Sequence, residues 1–462
     1  MTSKLESLPL EVLHQIFGHF CVHCQETTTS DLSYLEDRHT LYDLSLVSNR
    51  IRYTAQLVLH HESLVPIRIP LLHRQRRRLG PFLRTVTSRP DLAMAVKTLY
   101  IDERFAGNLD METARPTYEQ ALQALGTNSN SVWSKRRMSS KKRRHPDIRE
   151  LETFLVGHPA SEERVNITLN TVAVSEILVV LLALLPNLQC LIVDGSSFKR
   201  YLSKTTFDGF GLNTLSLRSL HARFLPLALL DIAPYLENVS VRAQDPIRRD
   251  LNPRTVHYSV YGNSFEQDEI EEVLDSYKQP LSTFIYEPET DERPSHILQP
   301  SLAISLLDRF HTSLRSLHLD LRFRTFPDGV TAHVKPMPIP SLKKFGALEE
   351  IFISLNTIFG GDQIVPKPIY EHTLVEYLPE SIISVTAVKT NTLAFPHHLQ
   401  KGLIGFADAK KRDKTIFPHL KLVRCDSRHV CNDTITRGLL KQVGVALVYQ
   451  EFPRPGRQIF DP

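Results

Sequence analysis

The sequence predicts an α/β solenoid, with parallel strands along one side and helices along the other, preceded by a small unit of three helices. Two observations carry this expectation. The spacing L-x-x-L-x-L, or a close apolar equivalent, returns ten times between Val96 and Cys425. Ahead of it, between Pro9 and Val58, apolar residues recur at three- and four-residue steps, the period of a helix.

Composition fits such a fold. Of 462 residues, 42% are hydrophobic and 23% charged, which is ample for a packed core and excludes wholesale disorder. A net charge of only +4 calls for neither nucleic acid nor an acidic membrane as partner. The five cysteines, Cys21, Cys24, Cys190, Cys425 and Cys431, are an odd number in a long chain. The opening "MTSKLESLPL" has no basic segment followed by an apolar one. A reducing compartment, cytoplasmic and/or nuclear, is therefore expected, without a disulfide framework. The most apolar run, "ILVVLLALL", is half a membrane span in length and stops at Pro186. It reads as a buried helix, and no membrane partner is expected.

The first helix begins in "LPLEVLHQIFGHF", residues 8–20. Pro9 suits a first turn, where its missing N–H is not needed. Val12, Leu13, Ile16, Phe17 and Phe20 form one apolar stripe. The polar stretch "HCQETTTSDLSYLEDRHT" reads as a loop. Helical spacing resumes at Leu41, Leu44 and Val47, then at Ile51, Ala55 and Val58. Three short helices bury little surface, so such a unit gains most by packing on a partner.

"LPLEVLHQIFGHF" followed by "TLYDLSLVSNRIRYTAQLVLHH" resembles an F-box, the motif that docks on the Skp1 adaptor of cullin-RING ubiquitin ligases. The likeness rests on Leu8–Pro9, Glu11–Leu13, Ile16–Phe17, Leu44, Leu46–Ser48 and Arg50. It implies Skp1 docking through Leu8, Pro9, Val12, Leu13, Ile16, Phe17, Leu44, Val47 and Ile51, and through Skp1 an attachment to cullin. Two departures stand out. The spacer between the halves is longer than usual by roughly fifteen to twenty residues, an insertion whose closure cost grows only slowly with length. Ile51 stands where many members carry an aromatic residue.

The ten apolar triplets begin at Val96, Leu151, Leu188, Leu212, Leu236, Leu281, Leu314, Leu348, Ile382 and Leu420. From Leu188 onward they are 24, 24, 45, 33, 34, 34 and 38 residues apart. A regular leucine-rich repeat is shorter, about 20–29 residues. Helical spacing fills several intervals, as in "VSEILVVLLALLPN", "PLALLDIAPY", "DEIEEVLDSYK" and "SLAISLLDRFHT". Neither strand nor helix buries its apolar face alone, and stacking neighbours builds the core. The series resembles the irregular leucine-rich-repeat region of fungal F-box proteins. "LGPFLRTVTSRPDLAMAVKTLYI" resembles the segment that joins the two parts in that group. The expected organisation is an F-box at 1–65, a helical connector at 66–95, a solenoid at 96–450 with a basic insertion near 126–147, and a tail at 451–462.

Alternate side chains of a strand point to opposite faces. With the leucine-type positions inward, Tyr100, Asp102, Arg218, Arg242, His318, Asp320, Phe352 and Arg424 lie on the opposite face, together with several serines. Both charge signs and aromatics suit a surface that reads a protein target. The insertion "ALGTNSNSVWSKRRMSSKKRRHPD" reads as a solvated loop, and its basic run does not make nucleic acid an expected partner.

Motifs for enzyme chemistry are missing: the sequence holds no H-E-x-x-H, no P-loop, no G-x-G-x-x-G and no G-x-S-x-G. Cys21 and Cys24 form a C-x-x-C around His23, but a structural zinc site needs further ligands. His39, His60 and His61 follow without a second C-x-x-C, so neither metal nor cofactor is expected. The reading is a non-catalytic, substrate-recognition subunit of an SCF-type ubiquitin ligase, with Skp1 on the helices and an unknown protein target on the strands. An alternative keeps both parts in a scaffold or adaptor acting outside ubiquitination.

Overall fold

Within each of two units, strand follows strand in chain order, each parallel to its neighbour, with helices in most of the intervals. The structure, a computed structural model, describes residues 4–25, 31–63, 79–102, 111–128, 130–134, 151–152, 155, 167–195, 198, 202, 204–241, 257–261, 270–271, 274–275, 277, 280–287, 298, 300–320, 340–355, 358, 372–388 and 395–452. Tertiary contacts divide the chain into two units between Leu236 and Glu237, inside the region of the triplets.

The first unit opens with helices α1 (Leu10–Gly18), α2 (Val22–Gln25), α3 (Asp31–Val47) and α4 (Asn49–Leu59). Leu13, Phe17, Cys21, Leu41, Ile51, Ala55 and Val58 form their buried core, flanked by Leu5, Leu8, Ile16, Phe20, Leu44 and Leu59. Ser48 caps α4, its hydroxyl accepting the Ile51 N–H at 3.4 Å. Four strands follow: β1 (Glu62–Ser63), β2 (Thr98–Asp102), β3 (Cys190–Asp194) and β4 (Ser219–Ala222). Their register aligns Glu62, Thr98, Cys190 and Ser219. Helices α5 (Leu79–Ser88), α6 (Pro90–Ala95), α7 (Met111–Ala124), α8 (Ile167–Leu184), α9 (Lys204–Gly209) and α10 (Leu227–Ile232) complete the unit. The run "ILVVLLALL" lies mainly in α8, where Ile177 to Leu182 are all buried. Among the described residues, no helix is long and apolar enough to cross a membrane.

Two expectations need correction here. Among the described residues the helical region has four helices, and the stretch read as a loop is helical at both ends, in α2 and from Asp31 onward. Its polar residues are indifferent helix formers, and packing overrides them. Along α3, Leu41 and Ser45 are buried, and Arg38 donates to the Glu62 carbonyl at 2.9 Å. The triplet Leu212–Leu215–Leu217 is not a strand. Leu215 and Leu217 are buried, but the Leu215 N–H donates to the Ile232 carbonyl at 2.6 Å. The strand starts later, where the Arg218 and Ser219 N–H groups both donate to the Gln189 carbonyl, at 2.8 and 2.9 Å. Leu220 and Ala222 then take the inward places.

The second unit holds β5 (Asn238–Val241), β6 (His257–Tyr261), β7 (Thr283–Glu287), β8 (Ser316–Leu319), β9 (Glu350–Ser354), β10 (Ser384–Val388), β11 (Leu422–Cys425) and β12 (Ala446–Tyr449). Between and after them come α11 (Pro300–Leu307), α12 (Thr373–Tyr377), α13 (Phe395–Arg412), α14 (Arg428–Asn432) and α15 (Thr434–Gln442). One row of inward residues runs in register across all these strands: Val239, Tyr258, Phe284, Leu317, Ile351, Val385, Val423 and Leu447. Every one is buried.

Eight of the ten triplets fall on strands, consistent with a solenoid-like α/β arrangement within each unit. The triplet from Leu151 lies partly outside the described residues. Strand β6 was not anticipated. It fills the 45-residue interval, and Thr255 stands where the template asks for an apolar residue. Strand β12 escaped for a similar reason. Its template position is Gly444, which turns the chain at a φ of 78°, a conformation glycine adopts without strain. Of the connector, α5 and α6 are described. Most of the basic insertion and residues 453–462 lie outside the described residues.

Candidate functional site

Three groups of side chains stand out, two in the first unit and one in the second. The nine residues assigned to adaptor docking divide by depth. Leu13, Phe17 and Ile51 are at most 1% exposed and belong to the core of the helices. Leu8, Val12, Ile16 and Leu44 are half-buried around that core, and Pro9 and Val47 are exposed. Arg50 donates to the Leu8 carbonyl at 2.7 Å and so ties the start of α1 to the start of α4. Leu10, Leu46 and Val47 flank this tie in sequence, and Tyr42 and Tyr53 lie one to two turns away along α3 and α4. Of the nine large hydrophobic residues exposed among the described residues, these are five, so exposed apolar residues concentrate on α1, α3 and α4, where they form the rim of the helical layer. Sequence reasoning chose the stripe and counted Leu46 in the F-box likeness, but assigned neither Leu46 nor Leu10, Tyr42 or Tyr53 to docking. Their signal was apolar residues beside the stripe, as at Leu10, or on the helix faces away from the buried positions, as at Tyr42, Leu46 and Tyr53.

On the second unit, the outward row in register is Ser240, Ser259, Ile285, His318, Phe352, Thr386, Arg424 and Val448. It brings together three of the residues expected to face a target. The His318 ring stacks on Phe352 with centroids 3.8 Å apart and planes 5° from parallel. Phe452 meets Phe352 edge-on at 5.4 Å, returning the chain after β12 to β9. His318 Nε2 lies 2.8 Å from Glu287 Oε1, close enough for an ion pair although off hydrogen-bond alignment. Asp320 sits beside them, mostly buried. Arg424 donates to the Ser384 hydroxyl at 3.3 Å. The face therefore carries an acid–imidazole–aromatic patch held in place by its own contacts.

Other expected face residues are not placed for recognition. Tyr100 is 1% and Asp102 6% exposed in the first unit, so neither reaches a partner from this conformation. Alternation put them on the outward side, but it does not say what covers that side. Arg218 is exposed and precedes β4. Arg242 lies outside the described residues.

His221, in register with Ile192 and Tyr100, adds a pH dependence to the first unit. Its Nδ1 is enclosed, although the residue keeps part of its surface, and it has no hydrogen-bond partner among the described residues. Enclosure of the ring pushes its pKa down to about 4. The folded value lies below the ordinary 6.5, so the fold holds the neutral ring. The stability this carries is full above pH 6.5 and is lost as the pH falls toward 4. Trp133, the sole tryptophan, is buried in this unit and reports its unfolding. Urea midpoints read from its fluorescence are expected to fall across that range, and His221→Gln is expected to flatten the fall.

The third group was not expected. The C-x-x-C acquires a partner once β1 forms. The His61 carbonyl, at the start of β1, accepts N–H groups from Lys97 and Thr98 at 2.9 and 2.8 Å. Its Nδ1 lies 3.3 Å from Cys24 Sγ and 3.7 Å from Cys21 Sγ. His23 Nδ1 is 3.9 Å from Cys24 Sγ. All four donor atoms lie within 4.8 Å of one another. His60 is directed elsewhere, with its Nδ1 2.8 Å from the Gln56 carbonyl. A second group, Glu287, His318 and Asp320, meets the same distance limit with only three donors.

No family model matches the chain, and no curated protein matches it.

Proposed function

We propose that this protein is a substrate-recognition subunit of an SCF-type ubiquitin ligase, with α1–α4 acting as an F-box and the strand-and-helix array as a leucine-rich-repeat-like target receptor. The observation that carries the reading is the apolar rim of the first helices. Leu10, Tyr42, Leu46, Val47 and Tyr53 are exposed on α1, α3 and α4, within the stretch whose sequence resembles an F-box. Exposed apolar surface of this kind favours covering by a partner. Skp1 is the partner that the motif names.

In this reading the helices use their two sides differently. Leu13, Phe17 and Ile51 hold the layer together, and the rim meets the adaptor. The row of His318, Phe352 and Arg424 supplies the surface for the target. The chain catalyses nothing. It raises the effective concentration of target lysines near a charged ubiquitin-conjugating enzyme, which is an entropic contribution to the rate.

Co-expression with Skp1 tests the proposal. A complex of one chain with one Skp1 is expected on gel filtration, and adding cullin is expected to shift it further. Failure of the folded chain to retain Skp1 would overturn the reading. Proteins that co-purify, and that accumulate when Skp1 binding is lost, identify the target. A partner set that binds but does not change in abundance points to a scaffold.

A further inference from the structure

We propose that Cys21, His23, Cys24 and His61 bind a structural zinc ion that fastens the first helical layer to the edge strand of its sheet. The site is independent of the adaptor reading and requires only that the chain folds.

The donor set comes first. Structural zinc takes four cysteine and histidine donors in a tetrahedron. Zn–S bonds near 2.3 Å and Zn–N bonds near 2.0–2.1 Å place neighbouring sulfur and nitrogen donors about 3.6 Å apart. Three of the four sulfur–nitrogen separations are 3.3, 3.7 and 3.9 Å, on either side of that value. Hydrogen bonds between thiol and imidazole span similar distances, so distance alone does not decide. The number of donors and their origin do. Four donors converge from two segments, with His61 37 residues beyond Cys24. A pair of thiols with a pair of imidazoles suits zinc and disfavours magnesium or calcium, which take oxygen.

The surroundings fit a ligand cage. Cys21 and His61 are buried and Cys24 is exposed, which leaves a way in. The His23 N–H donates to Glu62 Oε1 at 2.5 Å, holding the ligand segment against β1. The His14 ring lies against His61 with centroids 5.4 Å apart. Such outer contacts orient metal ligands. The site also joins two short elements. Within the described residues helix α2 has four residues and β1 has two, each too short to hold its place alone. A metal joining them fixes both. His23 lies inside the C-x-x-C, so the spacing is not that of a zinc finger, and a search for a second pair in the sequence finds none.

The test uses the full chain. Purified without chelator, or refolded with zinc, it is expected to hold about one zinc per chain by mass spectrometry of the metal. Cys24→Ser and His61→Ala are each expected to lose it, and His318→Ala is expected to keep it. Alkylation of the exposed Cys24 is expected to slow about tenfold or more with zinc and to recover on chelation. Should the ligand variants fail to fold, cobalt titration of the unaltered chain decides. The visible spectrum of tetrahedral cobalt with thiolate charge transfer is expected. An octahedral spectrum, no zinc in the reconstituted chain, or equal zinc in the wild type and folded Cys24→Ser would overturn the site.

Discussion

Replacing Leu46 and Val47 together by aspartate is expected to abolish recovery of Skp1 while leaving the thermal unfolding of the chain unchanged within about 2 °C. Leu46 is 59% and Val47 63% exposed, so neither contributes to the core of the helices. In the proposed complex both lose that exposure, and two carboxylates would be placed in an apolar contact without partners. Each such change costs about 2 kcal/mol or more at an interface, and together they lower affinity by roughly a thousandfold. Isothermal titration with purified Skp1 measures this directly. Undiminished affinity would remove the rim from the interface. The choice of residues matters. Leu13, the most prominent position of the sequence motif, is 0% exposed. Leu13→Asp would unfold the helical layer and lose Skp1 for a reason unrelated to docking.

The second large effect is on stability. Phe284→Ala is expected to cost the second unit about 3–5 kcal/mol, which lowers its unfolding temperature by roughly 10 °C or more. Phe284 is 0% exposed and lies in register between Tyr258 and Leu317, inside the inward row. Parallel stacking leaves the cavity walled by both neighbours, which cannot collapse without moving their strands. Scanning calorimetry reads the loss. Val448→Ala is the control. Val448 is 41% exposed on the outward row, and its removal is expected to change stability by less than about 0.5 kcal/mol. A small effect of Phe284→Ala would mean that the inward row is not packed as the register implies.

Both predictions turn on which side of an element a residue occupies, and this was legible to different degrees. Inward positions were read well because burial repeats locally. Leu99, Leu191, Phe284, Leu317, Ile351, Val385 and Val423 all came from one spacing rule, and all are buried. The rule failed where a strand's first template position is not apolar, as with Thr255 before β6 and Gly444 before β12. It also failed at Leu215 and Leu217, where burial occurs without a strand. Outward positions were read less well. Tyr100 and Phe352 occupy equivalent places in their strands, yet Tyr100 is buried and Phe352 is half-buried beneath Phe452.

By itself the sequence determined most of the strands and helices and the apolar stripe of the first helix, because each follows from periods of two or of about 3.6 residues within one segment, and their repeated alternation implied parallel strands. Tertiary structure alone decided that Leu46 and Val47 rather than Leu13 face outward, and that His318 meets Glu287 across neighbouring strands. It also decided which of three histidines joins Cys21 and Cys24. His60 and His61 are adjacent in sequence, but one turns back onto its own helix and the other opens β1 beside the two thiols. Contacts of that kind depend on where distant segments come to rest, and a local period carries no record of it.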